Sequence, residues 1–392
     1  MWLCAVQIHV ARSPEELEPH VAALECLAGA AIEPNIFFEP LMLLPAWRAF
    51  GKGRKLCAVL IYGPDGAVPE SGQALFGFVV LERVPRAHGV PMSVLRTWSH
   101  SRGPLGTPLI RDGAGREVLD ALLDWASTDP EGAAVLEFSD CSTDGPFHKV
   151  LTDVLRRRGA AVFTAETHTR ALLVRADRAE AALAAASLSP SHRRDLGRQR
   201  RRLQDRGLLQ LRALEPDADP GLWIARFLDL ERSGWKGREG TAFACDPASR
   251  AFFEQVMTDA HARGRLMILG LFLDGRPIAM KVNLLAPPGS FGWKIAFDED
   301  LSRYSPGVLL ELDNIAAIHL RSEIEWSDSC ATEGHFSERL WNGRRTLATT
   351  LASTGRGAGR HVVRALARAA PVYRTIRRLI TRQADDASAG GA

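Results

Sequence analysis

At 392 residues the chain exceeds the roughly 100–200 residues of one typical domain, and its 46% hydrophobic and 24% charged content is that of a globular protein. No apolar run approaches the roughly 18 residues that span a bilayer, and six scattered cysteines without C-x-x-C spacing build neither a zinc cluster nor a disulfide framework. A transmembrane protein and a disulfide scaffold are excluded, and residues 1–12 lack the basic start and cleavage site of a signal peptide, so a cytoplasmic protein without a bound metal is expected.

The net charge of +3 is unevenly spread. From Arg193 to Arg206 seven arginines stand against Asp195 and Asp205, and from Arg356 to Arg382 eight arginines meet no acid, so the rest of the chain is acidic. Lysine is confined to Lys52, Lys55, Lys149, Lys236, Lys281 and Lys294.

In chain order, Pro14 to Ala28 has helical spacing, while Leu56 to Tyr62 and Ala74 to Leu81 alternate as strands joined by a turn over Gly63 to Gly72. Glu117 to Ala126 reads as a helix, Ala134 to Phe138 as a strand, Phe147 to Arg158 as a helix and Arg170 to Arg175 as a strand. An Ala-rich helix then leads into Ser189-Pro190-Ser191, the expected boundary. Beyond it, Leu222 to Gly234 and Pro247 to Arg263 read as helices. Leu266 to Leu273, Pro277 to Leu285 and Ser290 to Phe297 form an antiparallel meander, turned by Asp274-Gly275 and Pro287-Pro288-Gly289. A helix follows Pro306-Gly307 to about Leu320, then a short strand from Ser322 to Ser327. Helices, antiparallel strands, helix and strand thus occur twice, predicting an α/β protein of two similar domains, residues 1–178 and 179–352. A Gly/Arg-rich tail, 353–392, carries an apolar stripe of Val362, Val363, Leu366, Ile376, Leu379 and Ile380. A basic helix with such a stripe suits either the surface of an anionic membrane, through residues 356–382, or docking on the protein itself.

Four segments between His192 and Trp341 carry a family resemblance: the basic stretch His192-Arg193-Arg194 to Arg202-Leu203, Ser233-Gly234-Trp235-Lys236, the hairpin Leu273-Asp274-Gly275-Arg276-Pro277-Ile278-Ala279, and Lys294-Ile295-Ala296-Phe297-Asp298 leading to Tyr304-Ser305-Pro306-Gly307. Together they resemble the BioF2-like acetyltransferase family, which includes the CelD/BcsL type and belongs to the GNAT superfamily. Asn35-Ile36-Phe37-Phe38-Glu39-Pro40 resembles the opening of the same family, and the fold is distantly similar to that of FemABX peptide-bridge aminoacyltransferases. The resemblance implies tandem GNAT-like domains, each a mixed, largely antiparallel sheet flanked by helices. It further implies an acyl-CoA donor such as acetyl-CoA, and an amine or hydroxyl acceptor on a sugar or on an envelope or exopolysaccharide precursor in a bacterium. The Gly-rich pyrophosphate loop of such enzymes is reduced here to Arg303-Tyr304-Ser305-Pro306-Gly307, which leaves fewer backbone donors; Arg303, Ser305, Gly307 and Val308 are the implied cofactor-binding positions.

Single residues leave alternatives open. Tyr304 is a candidate acid for a leaving thiolate or a phosphate ligand, against an ordinary turn tyrosine. Asp328, ending a strand, and Asp298, after the Lys294 strand, are candidate bases; Asp298 equally suits a turn cap. His335, in a loop with Glu333, is a further candidate base. Alternation predicts Lys281 and Lys294 on one sheet face as substrate ligands or as solvent-facing charges. Trp235 and Lys236 offer an aromatic wall and a cation to a substrate cleft, against core packing for the indole. Cys330 lacks a base at fixed spacing. The Arg193 to Arg206 stretch reads as a solvated helix face or an anion contact, and no motif supports sequence-specific nucleic-acid binding. Two other functions fit: aminoacyl transfer from aminoacyl-tRNA, with the arginines on RNA, and a catalytically silent scaffold for polysaccharide synthesis.

Overall fold

A computed structural model describes residues 6–63, 74–86, 88–130, 132–176 and 189–370. These form two compact units: residues 6–38, 53–168 and 346–370 make one, and residues 39–52 and 169–345 the other. The expected boundary near residue 178 falls in 177–188, outside the described residues, as does most of the expected 63–72 turn.

The first unit holds strands β1 (Gln7–Ala11), β2 (Leu56–Tyr62), β3 (Leu75–Val84), β4 (Val94–Thr97), β5 (Leu109–Ile110), β6 (Val135–Ser142) and the start of β7 (Val162–Val174). The second holds the end of β7, then β8 (Leu209–Ala213), β9 (Leu266–Leu273), β10 (Arg276–Ala286), β11 (Gly289–Phe297) and β12 (Trp326–Asp328). Strand β13 (Gly343–Ser353) starts in the second unit and ends in the first.

In the first unit the strand order is β1-β2-β3-β4-β6-β13-β7, with β5 beside β3. β4 and β6 run parallel, Val94 opposite Val135, so a crossover must join them, and the Gly115–Thr128 helix supplies it. Its buried Val118, Leu119, Leu122, Leu123 and Ala126 follow the three-to-four-residue spacing of one helix face. The second unit repeats the plan as β7-β12-β11-β10-β9-β8, where β11 and β12 are the parallel pair and the Pro306–His319 helix is the crossover.

Several expectations change. The helix over 14–28 is split into Pro14–Leu17 and Val21–Gly29 by a 3-10 turn at Glu18–His20, because Pro19 has no N–H to continue the ladder. The strand from Ser322 shortens to Trp326–Asp328. The Pro40–Phe50 helix escaped a periodicity reading because it contains Pro45 and is buried nearly all round. It belongs to the second unit, where Phe50 meets Phe252 edge-on at 5.0 Å and Arg265 donates to both oxygens of Glu39 at 2.9 Å.

Residues 359–370 are helical and belong to the first unit. Val363 and Leu366 are buried with Val94, Val135, Phe163 and Leu351, so this half of the apolar stripe packs on the protein rather than on a membrane. The other half, with Ile376, Leu379 and Ile380, lies outside the described residues. Leu366→Ala is expected to cost about 2 kcal/mol, the low end for a buried leucine, measured by urea unfolding. A change near zero would show that the helix does not contribute to the core. Among the described residues no helix is long and apolar enough to cross a membrane.

Candidate functional site

Strand β11 begins with a partner on each side and ends with one. It pairs with β12 only from Gly289 opposite Trp326 to Phe291 opposite Asp328, while its pairing with β10 continues to Phe297 opposite Ala279. From Gly292 onward, the β12-side edge of β11 therefore pairs with no strand among the described residues. Two features hold this split open. A register shift between Val282 and Leu284 bulges β11 at Gly292 and Trp293. At the end of β12, Cys330 takes a left-handed φ of 53° and turns the chain away.

Asp328 anchors that turn. It is fully buried; Arg170 grips it through Nε at 2.6 Å and Nη2 at 2.7 Å, Arg345 donates at 2.8 Å, and Cys330 N–H at 2.9 Å. Burial pushes its carboxyl up, but the charges of Arg170 and Arg345 outweigh this and hold it below the usual range. A carboxylate so saturated is a counter-ion and a poor proton acceptor, which corrects the expectation of a base. Asp298 is likewise structural: it caps the Glu299–Tyr304 turn by accepting Asp300 N–H at 3.1 Å and pairs with Arg276 at 3.1 Å. The Cys330 thiol is pushed up to about 12 by burial and by Asp328, so it is inert as a nucleophile.

The crossover helix enters at Ser305, whose φ of 50° is left-handed. Pro306 has no N–H, no side chain caps the turn, and the first backbone bond there runs from Leu309 N–H to the Ser305 carbonyl. The N–H groups of Gly307 and Val308 are thus available, at the positive end of a 14-residue helix. A side chain at Gly307 would press on Phe297 at 3.2 Å, so glycine lets the helix start close against β11. Tyr304 is 9% exposed, its ring in the core cluster with Leu196, Leu203 and Leu309, and its hydroxyl accepts from Arg206 at 3.4 Å. This geometry suits an anion contact better than a free acid.

Beneath the split lies a buried polar network. Lys281, 3% exposed, pairs with Glu311 at 2.8 Å; the other Glu311 oxygen accepts from Asn314 at 2.9 Å and from the Trp341 indole at 3.1 Å. Asn283 donates to Asn314 at 2.8 Å. Lys281 is therefore an internal cation, not a free ligand. Nor does it share a face with Lys294: the register sets Lys294 opposite Val282, and Lys281 opposite Ile295. Lys281 faces the crossover helix, while Lys294 Nζ lies 5.4 Å from the Phe243 ring centroid. In the sequence, Glu311 and Asn314 are two of four polar residues, with Asp313 and His319, on a helix that is otherwise apolar.

On the Lys294 face, Lys236 pairs with buried Glu231 at 3.0 Å, and Trp235, 48% exposed, presents its indole to solvent instead of to the core. Glu299 accepts Trp235 N–H at 2.7 Å and Arg238 at 2.6 Å, and the hydrogen bond from Arg238 holds its carboxyl low. With Ala296, which shares the Lys294 face, and the neighbouring Ile295 and Phe297, these residues line a small cleft along β11.

His335 lies in the loop after β12. It is partly buried, and burial together with the charge of Lys281 holds its imidazole below the ordinary value, so it is neutral near pH 7. Nδ1 accepts Ser337 N–H at 3.3 Å and lies 2.8 Å from Ser337 Oγ, so the neutral ring carries its proton on Nε2, which has no partner among the described residues. For Nε2 to accept a proton, the ring must first shift its own to Nδ1, toward Ser337 Oγ, and give up the bond from Ser337 N–H. Among the described residues no group of three or more metal-ligating side chains occurs.

Residues 190–336 match the model of the acetyltransferase (GNAT) domain. The crystal structure of FemX is similar over 85% of this chain and 95% of its own, with a TM-score of 0.54 at 12% identity. A conserved protein of unknown function from Bacteroides thetaiotaomicron is similar over 85% and 97%, with a TM-score of 0.54 at 11% identity. The C-terminal domain of a putative lysylphosphatidylglycerol synthetase from Agrobacterium fabrum follows at 0.48, 13% identity, 90% and 96%. The curated proteins gave no match. The first two likenesses show the fold, and the second of the chain's two repeated units carries the GNAT acetyltransferase match.

Proposed function

We propose that this chain, with its GNAT acetyltransferase segment at 190–336, is an acyltransferase that moves an acyl group from a CoA thioester to an amine or hydroxyl of a sugar or envelope precursor. The observation that carries this reading is the split between β11 and β12 beside an uncapped helix entrance. The Gly307 and Val308 N–H groups suit the donor's pyrophosphate, and the part of β11 beyond its pairing with β12 suits its thioester arm. Trp235 and Lys236, along the cleft on β11, would meet the acceptor.

In this reading the acceptor nitrogen or oxygen attacks the thioester carbonyl, whose growing negative charge is met by β11 N–H groups. Once the ring proton of His335 has moved to Nδ1, its Nε2 takes the acceptor's proton, the carbon–sulfur bond breaks, and the CoA thiolate leaves with a proton returned through His335. Lys281 stays on Glu311, and its charge, second to burial, helps keep His335 neutral. A cytoplasmic location follows from where CoA thioesters are made.

The test is thermal unfolding of the full chain with acyl-CoA thioesters, free CoA and bulk tRNA. A donor at 100 times its dissociation constant is expected to add about 2.7 kcal/mol. A second reading draws on the exposed Arg193, Arg194, Arg201 and Arg202 of the Pro190–Gln204 helix, which suit the backbone of an aminoacyl-tRNA. A shift with tRNA alone selects it; no shift with any ligand leaves a silent scaffold.

A further inference from the structure

Arg206 and Arg303 come from different elements, the turn after the Pro190–Gln204 helix and the Glu299–Tyr304 turn, yet both reach the same ring. Their guanidinium carbons lie 5.7 and 4.7 Å from the Tyr304 centroid, and Arg206 Nη1 donates to the Tyr304 hydroxyl at 3.4 Å. Both arginines are exposed, and neither has a carboxylate partner among the described residues. By contrast, their neighbours Arg200 and Arg276 are neutralised by Asp313 and Asp298. Two like charges drawn to one ring raise each other's energy unless an anion sits with them. The hydrogen bond from Arg206, then the charge of Arg303, hold the phenol below its usual range, which records the same positive field. Tyr304 directly precedes Ser305 and Pro306, so the arginines stand just before the entrance that exposes the Gly307 and Val308 N–H groups.

We infer that Arg206 and Arg303 form a phosphomonoester subsite that reads the 3′-phosphate of the CoA donor, apart from the N–H groups that meet its pyrophosphate. The inference rests on the acyl-CoA reading above. A phosphomonoester carries close to two negative charges near neutral pH and presents several acceptor oxygens, the chemistry that guanidinium forks pair with. Tyr304 acts as the positioning residue: its ring carries both guanidiniums, and its hydroxyl orients Arg206.

Calorimetric titration of the full chain with CoA and with 3′-dephospho-CoA, at one ionic strength, tests it, since the two ligands differ only in that phosphate. Wild type is expected to bind CoA about 10- to 100-fold more tightly, the size of one or two charge-assisted hydrogen bonds. Arg206→Ala and Arg303→Ala should each collapse that ratio toward one while leaving affinity for dephospho-CoA unchanged, which also reports an intact fold. Arg206→Lys, with a charge but no fork, should fall between. Equal wild-type affinity for the two ligands overturns the subsite and leaves the acyl-CoA reading standing, as does an equal loss of both ligands in the alanine variants. Binding of neither ligand by wild type overturns that reading, and the subsite with it.

Discussion

Asp328→Asn is expected to lose about 3–5 kcal/mol of unfolding free energy at neutral pH, the cost of stranding buried cations by removing their anion. The substitution keeps the size of the side chain and one acceptor oxygen, so lost packing contributes little. What disappears is the charge that balances Arg170 and Arg345, which are 2% and 7% exposed. Denaturant unfolding at several pH values checks both size and origin. The wild-type carboxyl lies below its unfolded value, so the unfolded chain binds the extra proton and the stabilisation rises with pH. It is complete above the unfolded carboxylate range near 4 and lost as pH falls through the lower folded value. The gap between wild type and variant should therefore close only in acid. A gap below about 1 kcal/mol at pH 7 would mean that the two guanidiniums find other partners or water.

For His335→Gln, turnover with the identified donor and acceptor is expected to fall by about 10²- to 10⁴-fold, the usual contribution of a positioned general base. Glutamine retains polarity and bulk but cannot take up a proton. Burial, then Lys281, hold the imidazole low, so the wild-type rate should stay flat through neutral pH and decline only below the ordinary histidine value of about 6.5. The residual rate of the variant should lack that acid limb. An unchanged kcat, or an acid limb that survives in the variant, would remove His335 from proton transfer and return it to the loop as a packing residue.

The sequence was most readable where one physical signal dominated. The meander from Leu266 to Phe297 combined apolar alternation with Asp-Gly and Pro-Pro-Gly turns, and its strands lie within about a residue of expectation. The helix after Pro306 was legible from proline at its first turn. Strand β13 was not, because Arg344, Arg345 and its threonines hide a run whose buried side chains include polar ones. Site chemistry was harder for the same reason. Asp328 has the position of a base, but its two arginines come from residues 158 and 17 positions away, and only the fold brings them together. Lys281 and Lys294 were set on one face by counting alternation, which cannot register that strand partners differ by one position. Arg206 lay inside a long arginine run, where nothing in the spacing separates the guanidinium on Tyr304 from its solvated neighbours.

The order in which the ribosome delivers the chain acquires weight from the way the two units share it. Residues 39–52 are made before residues 53–168, yet they belong with 169–345, where Glu39 receives Arg265 and Phe50 meets Phe252. Residues 346–370, which supply Leu351, Val363 and Leu366 to the first unit, are synthesised only after the second unit's last residue. The unit that begins at the N-terminus is thus the last to receive all its parts, and its early strands must wait with an incomplete core. Cleavage near residue 178 would not release two self-sufficient halves: the C-terminal fragment would carry Arg265 without its carboxylate, and the N-terminal fragment would lack its closing strand.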